Sequence, residues 1–115
     1  MEPGGARNSV PQLRRGVLEY CVLALLDGEP RYGFDLVRRL AADEVLVTSE
    51  GTIYPLLSRL RRDGWVSTTW VESGSGPPRR YYAVTPEGRR ALQAFTADWC
   101  RFRDAVDSLL LEGPR

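Results

Sequence analysis

Apolar positions along this chain follow several rhythms, and each predicts a different element. Between Leu13 and Leu26 the stretch LRRGVLEYCVLALL is apolar on nearly every side after Val17, which predicts a helix buried on more than one face. DGEP at 27–30 then breaks the chain. From Tyr32 to Asp43 the spacing of Phe34, Leu36, Val37, Leu40 and Ala41 predicts a second, amphipathic helix. VLVT at 45–48 is short and β-branched, and predicts a brief strand.

The stretch SEGTIYPLLSRLRRDGW at 49–65 is less orthodox. Ile53, Leu56, Leu57 and Leu60 form the stripe of a third helix, with Ser49 as its N-cap and Asp63-Gly64 as its stop. Yet the same stretch contains Gly51 and Pro55, and an interior proline costs about 3 kcal/mol, less near a helix start where amides lack partners. At about 100° per residue, the face opposite the leucines is centred on Gly51, Pro55, Ser58 and Arg62, flanked by Tyr54, Arg59 and Arg61. That face is small at one end and basic at the other. Such a helix suits close approach to a groove or a sugar-phosphate backbone.

Strand-like WVSTTWVES and RRYYAV follow, separated by GSGPP, and predict a hairpin with Arg79 and Arg80 beside its tip. Thr85-Pro86 reads as an N-cap with proline at the first helical position, opening a long last helix. On that helix Leu92, Phe95, Trp99, Phe102, Val106 and Leu109 are separated by 3, 4, 3, 4 and 3 residues, the a/d seam of a coiled coil. A small domain cannot bury that seam by itself. The expectation is a homodimer in which it packs against the partner, on the doubly apolar first helix through Val17, Tyr20, Cys21 and Ala24. Each buried large side chain contributes roughly 1.5–3 kcal/mol, so six seam positions suffice for association.

Helix, helix, short strand, helix, hairpin and helix is the order of a winged helix-turn-helix, an α+β fold that is mainly α, here with a long C-terminal dimerisation helix. The division expected is a flexible leader at 1–11, the winged helix-turn-helix DNA-binding domain at 12–85, and the dimerisation helix with a short tail at 86–115. In this architecture the third helix lies in the DNA major groove and the wing rests on the backbone or in a minor groove. The candidate DNA-contacting residues are therefore Ser49, Gly51, Thr52, Tyr54, Pro55, Ser58, Arg59, Arg61, Arg62, Arg79 and Arg80.

Composition narrows the function classes. The 115 residues are 43% hydrophobic and 27% charged, as in a soluble globular domain. The longest apolar run, CVLALL, is far short of the roughly 20 residues a bilayer requires. MEPGGARNSVPQ lacks the apolar region of a signal peptide, so a cytoplasmic protein is expected, with Cys21 and Cys100 as reduced, buried thiols. Net charge is only +1, which argues against a heavily basic nucleic-acid binder. Its distribution matters more: residues 49–90 hold seven arginines against four acids, while the segments on either side each come out at minus one. Histidine is absent, and no GxSxG, P-loop or dinucleotide fingerprint occurs, so neither catalysis nor a metal or cofactor is expected.

Taken together, LRRGVLEYCVLALLDGEPRYGFDLVRRL, SEGTIYPLLSRLRRDGWV and the GPPRRYYAVTPEGRRAL run resemble the PadR-type transcriptional regulators over nearly the whole chain, in the shorter subgroup with a single C-terminal helix. The resemblance implies a dimeric winged-helix repressor acting on an imperfect palindrome and often released by a small molecule, phenolic acids or planar drugs in some members. It also implies a role for Trp99, whose position could match a ligand-stacking tryptophan at the dimer centre of multidrug-responsive relatives. An a/d tryptophan is first of all interface core. Trp65 departs from the family pattern, where an aliphatic residue is commoner. A winged-helix protein-interaction module without DNA binding is the alternative, because fold alone does not fix function.

Overall fold

The computed structural model describes residues 9–46 and 50–113. Its order is α1 (Val10–Arg14), α2 (Leu18–Leu26), β1 (Arg31–Tyr32), α3 (Gly33–Ala41), a 3-10 turn (Glu50–Thr52), α4 (Ile53–Arg62), β2 (Val66–Val71), β3 (Arg79–Val84) and α5 (Pro86–Leu111). The strands form one antiparallel sheet in the order β1-β3-β2. Trp70 stands opposite Arg80 and Tyr32 opposite Tyr81.

Three expectations are corrected. The single helix expected over Leu13–Leu26 is two, because Gly16 takes φ +75°, a conformation in which a helix cannot continue. Helix α1 begins at Val10, inside the segment read as leader. The strand that completes the sheet is Arg31–Tyr32 rather than 45–48. Val45 and Leu46 instead lie in a turn, where Asp43 Oδ1 accepts the Val45 amide at 3.0 Å and Asp43 O accepts that of Leu46 at 3.1 Å. Val47, Thr48 and the expected N-cap Ser49 lie outside the described residues.

The core joins α2 (Val22, Leu23, Leu26), α3 (Leu36, Val37, Leu40) and α4 (Ile53, Leu56, Leu57, Leu60) to Val66 and Tyr82 of the sheet. Pro55 proves inexpensive. With Thr52 as N-cap, it is the third residue of α4, where the missing amide hydrogen would have had no helical acceptor.

Helix α5 is anchored at its start, packs on α2 through Leu92 and Phe95, and projects beyond. Thr85 Oγ1 accepts the Gly88 amide at 3.0 Å and donates to Gly64 O at 2.7 Å, so one hydroxyl caps α5 and fixes it to the end of α4. Gly88 permits the close approach, since a Cβ there would collide with the carbonyl oxygen of Trp65. Arg89 adds an ion pair to Asp27 at 3.2 Å.

Candidate functional site

Two surfaces carry the chemistry: the outer face of α4 with the hairpin, and an apolar groove between the N-terminal helices and α5.

Helix α4 divides as its sequence pattern requires. Ile53, Leu56, Leu57 and Leu60 are buried, whereas Gly51, Thr52, Tyr54, Pro55, Ser58, Arg59, Arg61 and Arg62 are exposed. The arginines are not equivalent, however. Arg59 Nη2 lies 2.7 Å from Glu19 Oε2, so its guanidinium folds back onto α2. Arg61 and Arg62 have no carboxylate partner among the described residues. The basic face thus ends in two unpaired guanidiniums rather than three.

At the hairpin the two arginines point to opposite sides of β3. Arg79 is exposed, with its guanidinium 4.9 Å from the centre of the Tyr32 ring. Arg80 is half-buried over Trp70 at 5.1 Å, and its Nε is a buried donor without a hydrogen-bond partner. Cation–π contact steers both side chains along the sheet. A third pair was not anticipated from sequence: Arg38 sits 5.8 Å over Phe34 on the outer side of α3. The i,i+4 spacing of Phe34 and Arg38 was the available signal.

The groove encloses about 490 Å³. Val17, Tyr20, Cys21 and Ala24 form one wall and Leu92, Phe95, Thr96 and Trp99 the other, with α1 and the turn at Val45 and Leu46 closing the ends. The seven residues on these walls that were expected at a dimer interface therefore meet within one chain, α5 packing on its own α2. Tyr20 and Phe95 stack at 3.9 Å with planes 2° apart, and Trp99 continues the series 6.3 Å from Phe95. Tyr20 also meets Trp65 at 5.7 Å, which accommodates the unusual tryptophan. Burial pushes the Tyr20 hydroxyl pKa up, helped by the charge of Glu19, and burial alone pushes up the Cys21 thiol. Both groups are neutral near pH 7.

The remaining seam positions lie beyond the groove. Phe102 is 65% exposed and Leu109 64%, with Leu110 and Leu111 more so, and Val106 is half-covered. Little among the described residues covers this apolar strip on the outer half of the 26-residue helix. Among the described residues, no helix is long and apolar enough to cross a membrane, and no group of three or more Cys, Asp or Glu side chains could hold a metal ion.

Comparison with known proteins gives a consistent result. The family model described as "Transcriptional regulator PadR-like family" matches residues 22–94. A PadR family transcriptional regulator from Eggerthella lenta is 40% identical, with 88% of each chain covered and a TM-score of 0.74. A PadR-like transcription factor from Bacteroides fragilis is 42% identical, covering 90% of this chain and 99% of that one, with a TM-score of 0.71. Bacillus subtilis PadR, solved in complex with operator DNA, shares the fold at 24% identity and a TM-score of 0.63, over 70% of this chain and 47% of that one.

Proposed function

Because the chain belongs to the PadR-like family of transcriptional regulators, we propose that it binds double-stranded operator DNA as a homodimer and acts as a repressor. Residues 12–85 form the DNA-binding unit and α5 the dimerisation element. The observation that carries this reading is the pairing of two surfaces on one chain: a narrow face on α4 that ends in Arg61 and Arg62, and an apolar seam on α5 that stays largely exposed among the described residues.

Docked in a major groove, α4 presents Gly51, Thr52, Pro55 and Ser58 at its narrow end, where the backbone can come close to the bases, and Tyr54 beside them. Arg61 and Arg62 then reach phosphates or base edges. Ser49, which precedes them in sequence, belongs to the same proposed set of contacts. Arg79 and Arg80 carry the wing to the flanking backbone. Two such heads related by a dimer axis fit an imperfect palindrome with half-sites about one helical turn apart.

Seam residues Phe102, Val106 and Leu109 pack against the partner, as do the groove walls. The stacked series Tyr20, Phe95 and Trp99 supports a second use of the groove, in which a planar aromatic or phenolic effector stacks on Trp99 and shifts the separation of the two heads. The proposed activity needs no catalytic step, metal or cofactor, because recognition and release are binding equilibria.

Selection of bound fragments from the parent genome, followed by footprinting, tests the reading. It predicts a recovered sequence with two related half-sites, both protected. Failure to enrich any sequence, together with weak and salt-insensitive binding, would instead favour a protein-interaction module.

A further inference from the structure

Two side chains, one lining the groove and one on the helix that forms its wall, reach away from it toward the rest of the domain. Arg14, in α1, donates from Nε to Val45 O and from Nη2 to Glu44 O, each at 2.7 Å. Those carbonyls belong to the turn that follows α3 and precedes α4 in sequence, and the same turn is pinned from within by Asp43. One planar fork therefore fixes two successive peptide groups in a rigid geometry that the single rotatable ammonium of a lysine does not reproduce. Glu19 is the second link. Its neighbours Leu18 and Tyr20 line the groove, while its own carboxylate pairs with Arg59 of α4. Arg14 thus ties α1 to the turn after α3, and Glu19 ties α2 to the body of α4.

We propose that Arg14 and Glu19 are positioning residues for DNA recognition and act with opposite sign. Arg14 fixes the approach to the reading helix and so favours the correct duplex over others. Glu19 holds Arg59 off the phosphates and so restrains binding to every duplex alike. The proposal rests on the reading of α4 as a DNA-reading helix. Its physical basis is the difference between the two bonds. Arg14 spends its charge on neutral carbonyls, so its contribution is geometric. Glu19 neutralises a cation that a phosphate would otherwise recruit, so its contribution is electrostatic. A change in the groove that moves α1 or α2 reaches the reading head through both.

Fluorescence anisotropy over a salt series measures both effects on the full chain, using the duplex recovered by genomic selection and a scrambled duplex of equal length. Glu19→Gln should tighten binding to both duplexes and steepen the log–log salt dependence by about 0.9, the value of one additional neutralised phosphate. Arg59→Ala in the Glu19→Gln background should remove that gain. Arg14→Ala should weaken the selected duplex by about tenfold, the scale of a charged hydrogen bond, while leaving the scrambled duplex and the salt slope unchanged. Arg14→Lys should share the defect, because it keeps the charge and loses the fork, and it covers the case in which the alanine variant does not fold.

An unchanged or shallower slope in Glu19→Gln overturns the role of Glu19. An equal loss on both duplexes with a reduced slope in Arg14→Ala makes Arg14 a phosphate contact and overturns its positioning role. If the parent chain binds neither duplex, the DNA reading itself has failed, and a test of the parent alone detects this.

Discussion

Helices α4 and α5 carry apolar stripes of similar chemistry, and the chain treats them in opposite ways. Ile53, Leu57 and Leu60 have no exposed surface, whereas Phe102 and Leu109 are about two-thirds exposed. On α4 the stripe is consumed by the domain core, which leaves the opposite, polar face outward. On α5 the core ends near Leu92, and the stripe beyond it stays exposed, as the proposed pairing surface. Identical periodicity therefore has different meanings, set by whether the chain supplies the other side.

That contrast can be broken at its strongest point first. Phe102→Asp should leave the fold intact, since the ring touches little of its own chain, yet it should convert dimers to monomers and reduce operator affinity by more than a hundredfold, as two linked heads become one. Sedimentation and thermal melting, run side by side, separate these outcomes. Leu57→Ala should do the reverse, costing about 2–5 kcal/mol of stability through the cavity it leaves. Its unfolding in denaturant should shift accordingly. Comparable destabilisation by both variants would contradict the distinction between the two stripes.

Smaller effects sharpen the picture of the polar face. Arg61→Ala and Arg62→Ala should each lower the salt slope by about 0.9, with stability changed by less than about 0.5 kcal/mol. Arg59→Ala alone should lower it much less, because Glu19 already holds that guanidinium. At the wing, Arg79→Ala should weaken selected and scrambled duplexes equally, and Arg80→Ala should have the smaller effect on binding because its side chain is packed on Trp70. In the same series, Arg59 and Arg62 exchanging ranks would show that the Glu19 pair does not persist when DNA is bound.

The smallest effect is chemical. Burial raises the pKa of the Cys21 thiol, so at pH 8 a smaller fraction is thiolate than in an unstructured cysteine, and alkylation should be correspondingly slow. It should accelerate as pH rises toward the raised value. Rapid alkylation of Cys21 at pH 8, read by mass spectrometry of the modified peptide, would mean that the groove opens readily.

Much of this architecture was legible in the residues. The stripe of α4, the hairpin and the α5 seam are long enough for periodicity to be unambiguous, and Thr85-Pro86 announces its helix by capping chemistry alone. Other features depend on information that a local pattern does not hold. The break after Arg14 turns on the sign of φ at Gly16, and both flanks of that glycine read as helix. Strand β1 has two residues, too few to alternate. Val45 and Leu46 lie in a turn where the Asp43 side chain captures the Val45 amide. Arg59 is outward-facing, as its position off the leucine stripe predicts, but its partner Glu19 lies 40 residues away, a pairing visible only after folding. The same holds for Arg14 and the carbonyls of Glu44 and Val45.

The central claim is that the uncovered seam of α5 pairs two chains so that two copies of α4 read one duplex. Its most direct test is the mass, by sedimentation, of the complex formed on the selected duplex, with Phe102→Asp beside it. Two chains per duplex for the parent, at protein concentrations where Phe102→Asp forms no stable complex, is the predicted result. One parent chain per duplex, or an undiminished complex with the variant, would contradict it.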